Sequence, residues 1–347
     1  MVKFIDFSQN LKGVAQMTTI TSHFTRYFPE YEFLPERLKN SELVKRETLQ
    51  KSNELGLAVV AGNTKNIARK LAQGACPNTR TNRFQGEYLL HIAARKGDVA
   101  SVQALLNGGA NIHAMTFPFP QNTPIQVACI HGHAPVVSLL LENKADIGAK
   151  RWDYRQPLSL AIQYKHPEVC RLLMNTGAYD PKTFSLVLPS ACKAGKLEIV
   201  QLLIGAKANP NGFISRMQRV TALAEAVFSP DIVQFLLEQR ADVSAVSFCS
   251  PSYQAGSQAI HEAAYFGIAQ SVQLLLKAGA NPAAQNGLRK TPSQVARARL
   301  EEELAAWTHF RHQEPKIVAE LRQTIALLEQ PVNSIPDEDE NTPLISK

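Results

Sequence analysis

Thr123-Pro124-Ile125-Gln126-Val127-Ala128, then Gly132-His133, then Val136-Val137-Ser138-Leu139-Leu140-Leu141 and Lys144-Ala145-Asp146, is the stretch that decides the fold. The same order of parts returns upstream as Leu90-His91-Ile92-Ala93-Ala94, Gly97, Val102-Gln103-Ala104-Leu105-Leu106 and Gly109-Ala110-Asn111. It returns downstream as Ile260-His261-Glu262-Ala263-Ala264, Gly267, Val272-Gln273-Leu274-Leu275-Leu276 and Gly279-Ala280-Asn281-Pro282. Weaker copies begin near Asn53, Gln156, Leu186, Thr221 and Thr291. A period of about 33 residues, repeated about seven or eight times, is the mark of a solenoid.

Each part has a physical role. Threonine caps a helix and proline fits its first turn. The alanine pair lets a short inner helix pack closely on its neighbour. Glycine ends that helix in a left-handed conformation. Val-x-x-Leu-Leu is the apolar stripe of a second helix. Gly-Ala-Asn/Asp closes that second helix and turns the chain into an extended hairpin.

These residues resemble the ankyrin repeat family, whose signature contains T-P-L-H-x-A. The resemblance covers roughly residues 53–330. It implies an all-α fold: an ankyrin-repeat solenoid of stacked helix-turn-helix units with β-hairpin-like loops, a helical N-terminal extension and a helical C-terminal cap. The expected divisions are 1–52 for the extension, 53–290 for the repeats, 291–330 for a final degenerate repeat and cap, and 331–347 for a disordered acidic tail. Departures from the pattern are plain. The copy at Thr221 is shortened between Phe228 and Asp231, and the copy at Leu186 lacks a Thr-Pro opening. Two hairpins, Asn111 to Asn122 and Asp242 to Ser257, are long; insertions of this kind lie on one face of a solenoid.

Composition agrees with packed helices. The 347 residues are 45% hydrophobic and only 7% aromatic, so the core is built from Leu, Ile, Val and Ala. Five scattered cysteines, none in a C-x-x-C pair, argue against a disulfide framework and for a reducing compartment. No apolar run is long enough for a membrane span, and Met1 to Asn10 alternates rather than forming the core of a signal peptide. The expected location is soluble and intracellular, in the cytoplasm. The net charge of +7 is uneven: Asp337, Glu338, Asp339 and Glu340 make the tail acidic and leave a more basic body, which attracts acidic partners.

Catalytic patterns fail on inspection. His261-Glu262-Ala263-Ala264-Tyr265 lacks the second histidine of H-E-x-x-H, and His261, like His91, occupies the histidine of the repeat template, where its ring can bond backbone of an adjacent repeat. His131 with His133, and His309 with His312, have no third ligand in view. There is no phosphate-binding glycine loop and no G-x-S-x-G elbow. Cys129, Cys170 and Cys192 fall where repeats carry small apolar residues, so buried inert thiols are expected. No enzyme activity, cofactor or metal is expected.

The hairpin tips are the informative surface. Beside Arg80, the candidate partner-binding residues are Arg83, Phe84, Phe117, Phe119, Arg151, Trp152, Tyr154, Arg155, Phe213, Arg216, Phe248, Tyr253 and Arg289. Aromatic and arginine side chains dominate binding hot spots, and recurrence at the repeat spacing would align them along one edge. Arg95, Lys96, Ile130, His131, Tyr164, Lys193, Phe228, Tyr265 and Phe266 form a second strip at the inner-helix ends. The resemblance implies that hairpins and inner face bind together. The expected function is a scaffold or adaptor, a monomer that holds a protein with an acidic or apolar-pocketed surface. A nucleic-acid-binding protein using the basic edge is one alternative, and an enzyme with a cryptic site in the terminal segments is another. The degenerate repeats and acidic tail also resemble ankyrin proteins that intracellular bacteria secrete into host cells, which implies an effector acting on host proteins.

Overall fold

The computed structural model describes residues 42–80, 87–116, 121–148, 156–213, 220–248, 256–307 and 315–330. They fall into two compact units divided between Pro157 and Leu158. The first contains α1 (Glu42–Ala61), α2 (Thr64–Ala72), α3 (Leu89–Lys96), α4 (Val99–Asn107), α5 (Pro124–His131) and α6 (Ala134–Glu142). Helix α3 packs against α1 and α5, while α4 packs against α2 and α6. The inner helices therefore form one layer and the outer helices another, as the repeat pattern predicts. Leu55, Ile67, Leu90, Val102, Leu105, Ile125, Val137 and Leu140 close the core between them.

The second unit continues with α7 (Pro157–Gln163), α8 (Pro167–Met174), α9 (Pro181–Ala194), α10 (Leu197–Gly205), α11 (Ala222–Glu225), α12 (Pro230–Glu238), α13 (Ala259–Tyr265), α14 (Ala269–Lys277), α15 (Pro292–Trp307) and α16 (Lys316–Glu329). Inner helices α9, α11, α13 and α15 pack in succession, as do outer helices α8, α10, α12 and α14. Helix α16 closes the unit against α14 and α15, burying a helical stripe of Val318, Leu321, Ile325 and Leu328. No described helix is long and apolar enough to cross a membrane.

Local chemistry sets these boundaries. The Thr123 amide donates to Gln126 Oε1 at 2.9 Å, and the Thr291 amide donates to Gln294 Oε1 at 2.9 Å, so the same N-terminal capping pair recurs. After the outer helices, Asn111, Asp146, Asn209, Asp242 and Asn281 each accept from the amide two residues on, at 2.8–2.9 Å. This Asx turn is why Asn or Asp closes each repeat. The left-handed residue just before it is Gly109 or Gly279 in two repeats, but Lys144, Lys207 or Arg240 in three others. That backbone costs a side chain about 1 kcal/mol, partly offset by a cation at the helix C-terminus.

Neighbouring repeats are also tied through polar links. The His91 ring donates from Nε2 to the Asn122 carbonyl at 2.8 Å, and His261 does the same to the Ala284 carbonyl at 3.0 Å. Asn78 Oδ1 accepts from the Asn111 amide at 2.7 Å, and Asn211 Oδ1 accepts from the Asp242 amide at 2.8 Å. The expected hairpin-like loops are present as a short antiparallel pair, β1 (Val246–Ser247) with β2 (Ser257–Gln258), and as bridges Arg80↔Tyr88 and Phe213↔Thr221.

Two repeats are irregular, and the first of them opens elsewhere than the sequence suggests. Helix α9 does not open near Leu186. Its opening is Asp180-Pro181, with Asp180 Oδ1 accepting from the Thr183 amide at 2.7 Å and proline in the first turn. Pro189 inside this helix removes the amide that would bond the Ser185 carbonyl. Gly212 approaches that carbonyl so closely that a Cβ would lie 2.4 Å from the oxygen. The shortened copy at Thr221 folds as one α-turn followed by a 3-10 turn, Ala226–Phe228, the tighter winding that fits fewer residues into the same rise.

Candidate interaction surface

The hairpins present three of the expected residues in described positions. Phe248 is 53% exposed beside Val246 at 41%. Arg289 is exposed in a turn at φ 57°, its amide donating to the Asn286 carbonyl at 2.9 Å. Phe213 is half-buried where its hairpin bridges to Thr221. Arg80 turns back on its own hairpin, its guanidinium 4.7 Å above the Tyr88 ring and Nη2 donating to the Tyr88 hydroxyl at 2.9 Å. Arg83, Phe84, Phe117, Phe119, Arg151, Trp152, Tyr154, Arg155, Arg216 and Tyr253 lie outside the described residues.

The inner-helix strip is laid out in both units. In the first, Arg95 is ion-paired with Glu87, Lys96 is exposed, and His131 and His133 stack at 6.2 Å. His133 Nε2 donates to the Arg95 carbonyl at 2.7 Å. In the second, Tyr164 is 44% and Phe228 49% exposed. The Phe228 and Phe266 rings lie 4.6 Å apart, and Tyr265 meets Phe266 edge-on at 5.0 Å. The Arg299 guanidinium sits 5.3 Å from the Tyr265 ring and pairs with Glu302 and Glu303.

One feature of this strip was not singled out from the sequence. The position after the template histidine is buried and apolar in Ile92, Val127, Leu160 and Val295, yet Glu225 and Glu262 hold it in consecutive repeats, 4% and 0% exposed. Among the described residues Glu225 Oε2 accepts no hydrogen bond, and Lys193 Nζ lies 3.9 Å from it. Burial raises the Glu225 carboxyl above the ordinary range; Lys193 opposes this and Glu262 adds to it. The available signal was charge at a register position otherwise filled by aliphatic side chains.

The two template histidines and two of the buried cysteines are shifted by burial. Burial pushes the His91 imidazole down to about 4 against its backbone hydrogen bonds, which favour the charged form. His261 is lowered for the same reason, and its Nδ1 accepts from the Gln258 amide at 3.3 Å, so both ring nitrogens are engaged. Cys76, Cys129, Cys170 and Cys192 are buried. Burial raises the Cys170 thiol to about 12 and raises Cys192 as well, the opposite of an activated nucleophile. Among the described residues, no group of three or more His, Cys, Asp or Glu side chains could hold a metal.

Several known proteins are similar to this chain. The chain is 34% identical over 148 residues to mouse leucine-rich repeat serine/threonine-protein kinase 1, covering 40% of this chain and 7% of the kinase. It is 29% identical over 203 residues to the probable E3 ubiquitin-protein ligase XBOS32 of Oryza sativa subsp. japonica, covering 56% of this chain and 38% of the ligase. The chain thus spans well under half of either relative. Among solved structures, the ankyrin repeat domain of Bcl-3 aligns over 78% of this chain and 97% of its own, at 22% identity and a TM-score of 0.42. The family model described as "Ankyrin repeats (3 copies)" matches residues 55–151, 90–185, 158–247 and 188–286. With these matches spanning most of the chain, on helix pairs that pack as the repeat requires, the chain belongs to the ankyrin repeat family.

Proposed function

We propose that the chain is a non-catalytic scaffold that holds a protein partner along its hairpin tips and inner-helix face. The observation that carries this reading is the exposure of large apolar side chains where the repeats converge: Phe248 and Val246 on a hairpin, Tyr164 and Phe228 on the inner face. Solvent does not favour such groups, and aromatic side chains supply most binding energy at protein interfaces. The kinase and ligase activities named for the relatives belong to proteins of which this chain matches a small part. Delivery into a host cell is a narrower reading, supported by the acidic run Asp337 to Glu340.

Affinity capture with the intact chain tests the proposal. Two variants, Phe248→Ala and the double change Trp152→Ala with Tyr154→Ala, are expected to reduce capture of the recovered partner at least about tenfold while leaving the unfolding midpoint within a degree or two. Capture unchanged in both variants overturns the hairpin surface. Capture abolished by nuclease and falling steeply with salt points instead to nucleic acid.

A further inference from the structure

We propose that the last two hairpins of the second unit, at residues 246–248 and 286–290, form one docking patch for an acidic segment of a protein partner. Carboxylates of that segment meet Arg289 and Lys290, while an apolar side chain between them rests on Leu288 and Phe248. This rests on the reading of the chain as a protein-binding scaffold and names the chemistry that this edge recognises.

The two hairpins meet through their backbones. Gly256, just before β2, donates its amide to the Ser247 carbonyl at 2.9 Å, and the register that pairs Ser247 with Ser257 brings Phe248 to the level of Gly256. Gly256 in turn lies against the next loop: a Cβ there would stand 2.7 Å from the Gly287 nitrogen and 3.1 Å from its Cα. Its φ of 75° also suits glycine, so this close approach is built into the chain. Leu288 follows Gly287 directly and is 61% exposed, beside the exposed Val246 and Phe248 of the first hairpin. Three large apolar side chains therefore stand in solvent on adjoining loops.

The second loop is held in shape from beneath. Asn286 is buried, and its Oδ1 accepts from the Leu288 and Lys290 amides, each at 3.0 Å. Its own amide donates to the Lys290 carbonyl at 3.1 Å, and its carbonyl accepts from the Arg289 amide at 2.9 Å. The His261 ring fixes the approach to the loop through the Ala284 carbonyl. A tip presented this way loses little freedom when a partner binds. Its charge is one-sided. Arg289 and Lys290 are exposed, and residues 242–248 and 281–290 include one acidic side chain, Asp242. That carboxylate sits at the foot of the first hairpin, where Oδ1 accepts from the Ser244 amide at 2.8 Å and its hydroxyl at 2.6 Å. Two exposed cations hold a carboxylate weakly by themselves, and apolar contact beside them adds the rest of the affinity. Nucleic acid fits less well, because Leu288 offers no stacking face and two cations neutralise few phosphates.

The test follows the NMR signals of the Leu288 methyls and the Phe248 ring in the intact chain as blocked pentapeptides are added. The probes are acetyl-Asp-Glu-Phe-Asp-Glu-amide, its neutral analogue acetyl-Asn-Gln-Phe-Asn-Gln-amide, and acetyl-Asp-Glu-Ser-Asp-Glu-amide. The first is expected to bind with a dissociation constant on the order of millimolar, at least about fivefold tighter than either of the others. The double change Arg289→Gln with Lys290→Gln is expected to weaken it at least about fivefold, and Leu288→Ser at least about threefold. All three side chains are exposed, so these variants keep the fold. Equal binding of the neutral or the serine peptide, no shift at either side chain with any peptide, or binding that the double variant leaves unchanged would each overturn the patch. Oligothymidylate shifting the same signals at lower concentration than the first peptide would overturn it in favour of nucleic acid. If the patch is silent while capture still depends on Trp152 and Tyr154, this proposal fails alone and the scaffold reading stands.

Discussion

Acidifying the protein from pH 7 to pH 4 is expected to remove about 3 kcal/mol of stability through His91 alone. Its imidazole is fully buried, and burial lowers it from 6.5 to about 4 in the folded chain. The unfolded chain therefore takes up this proton first as pH falls. The stabilising effect is complete above about pH 6.5, declines through the interval down to about pH 4, and is exhausted below it. At about 1.4 kcal/mol per pH unit of separation, the interval corresponds to the loss stated. Gln126 and Gln294 occupy the same template position, so His91→Gln is a variant the fold already tolerates elsewhere. Denaturant titrations at several pH values should show wild type losing about 3 kcal/mol more than His91→Gln over this range. Equal acid sensitivity in the two proteins would contradict the assignment.

Gly212→Ala is expected to cost about 2–3 kcal/mol, a large effect for one methyl group. The new Cβ would sit 2.4 Å from the Ser185 carbonyl oxygen and 3.0 Å from the Asn209 carbonyl oxygen. Both are backbone atoms, so no side chain can swing aside. The Ser185 oxygen is further held because its residue is tied at both ends: Ser185 Oγ donates to the Pro181 carbonyl at 2.7 Å and accepts from the Asn209 amide at 2.8 Å. Gly205→Ala is the matched control, since nothing lies within 4 Å of its Cβ position and it ends α10 in the same repeat. There, alanine should be neutral or slightly stabilising. Comparable destabilisation by both changes would remove the contact as the cause.

Much of this architecture could be read from residue order because the determinants are local. Thr123-Pro124 and Thr291-Pro292 announce helix starts, and the Asn or Asp after each outer helix announces its turn. The opening of α9 escaped because Asp180-Pro181 lies where the template places hairpin residues, so the cap was invisible until the longer helix was seen. Helix α1 runs unbroken through residues 52 and 53, where apolar periodicity alone marked a change. The site was less legible. Nothing in the sequence says that Arg80 folds onto Tyr88 while Phe248 stays exposed, since both outcomes satisfy the same hairpin pattern. The meeting of Glu225 and Glu262 depends on how a shortened repeat registers against a full one, a three-dimensional fact. Their acidity also stands out in a chain of net charge +7, which makes the inner face of the second unit chemically unlike a generally basic surface.

Native-state hydrogen exchange on the intact chain tests most directly whether neighbouring helix pairs share one interior. Each pair buries its apolar face only against the pairs beside it. Helices α9 to α14 should therefore open in concert or in a graded series from the ends, with the amides of α10 and α11 never exchanging before those of their flanking pairs. Rapid, independent exchange of α9 and α10 while α11 to α14 and α8 remain protected would contradict the account, because a stacked pair cannot leave without uncovering its neighbours.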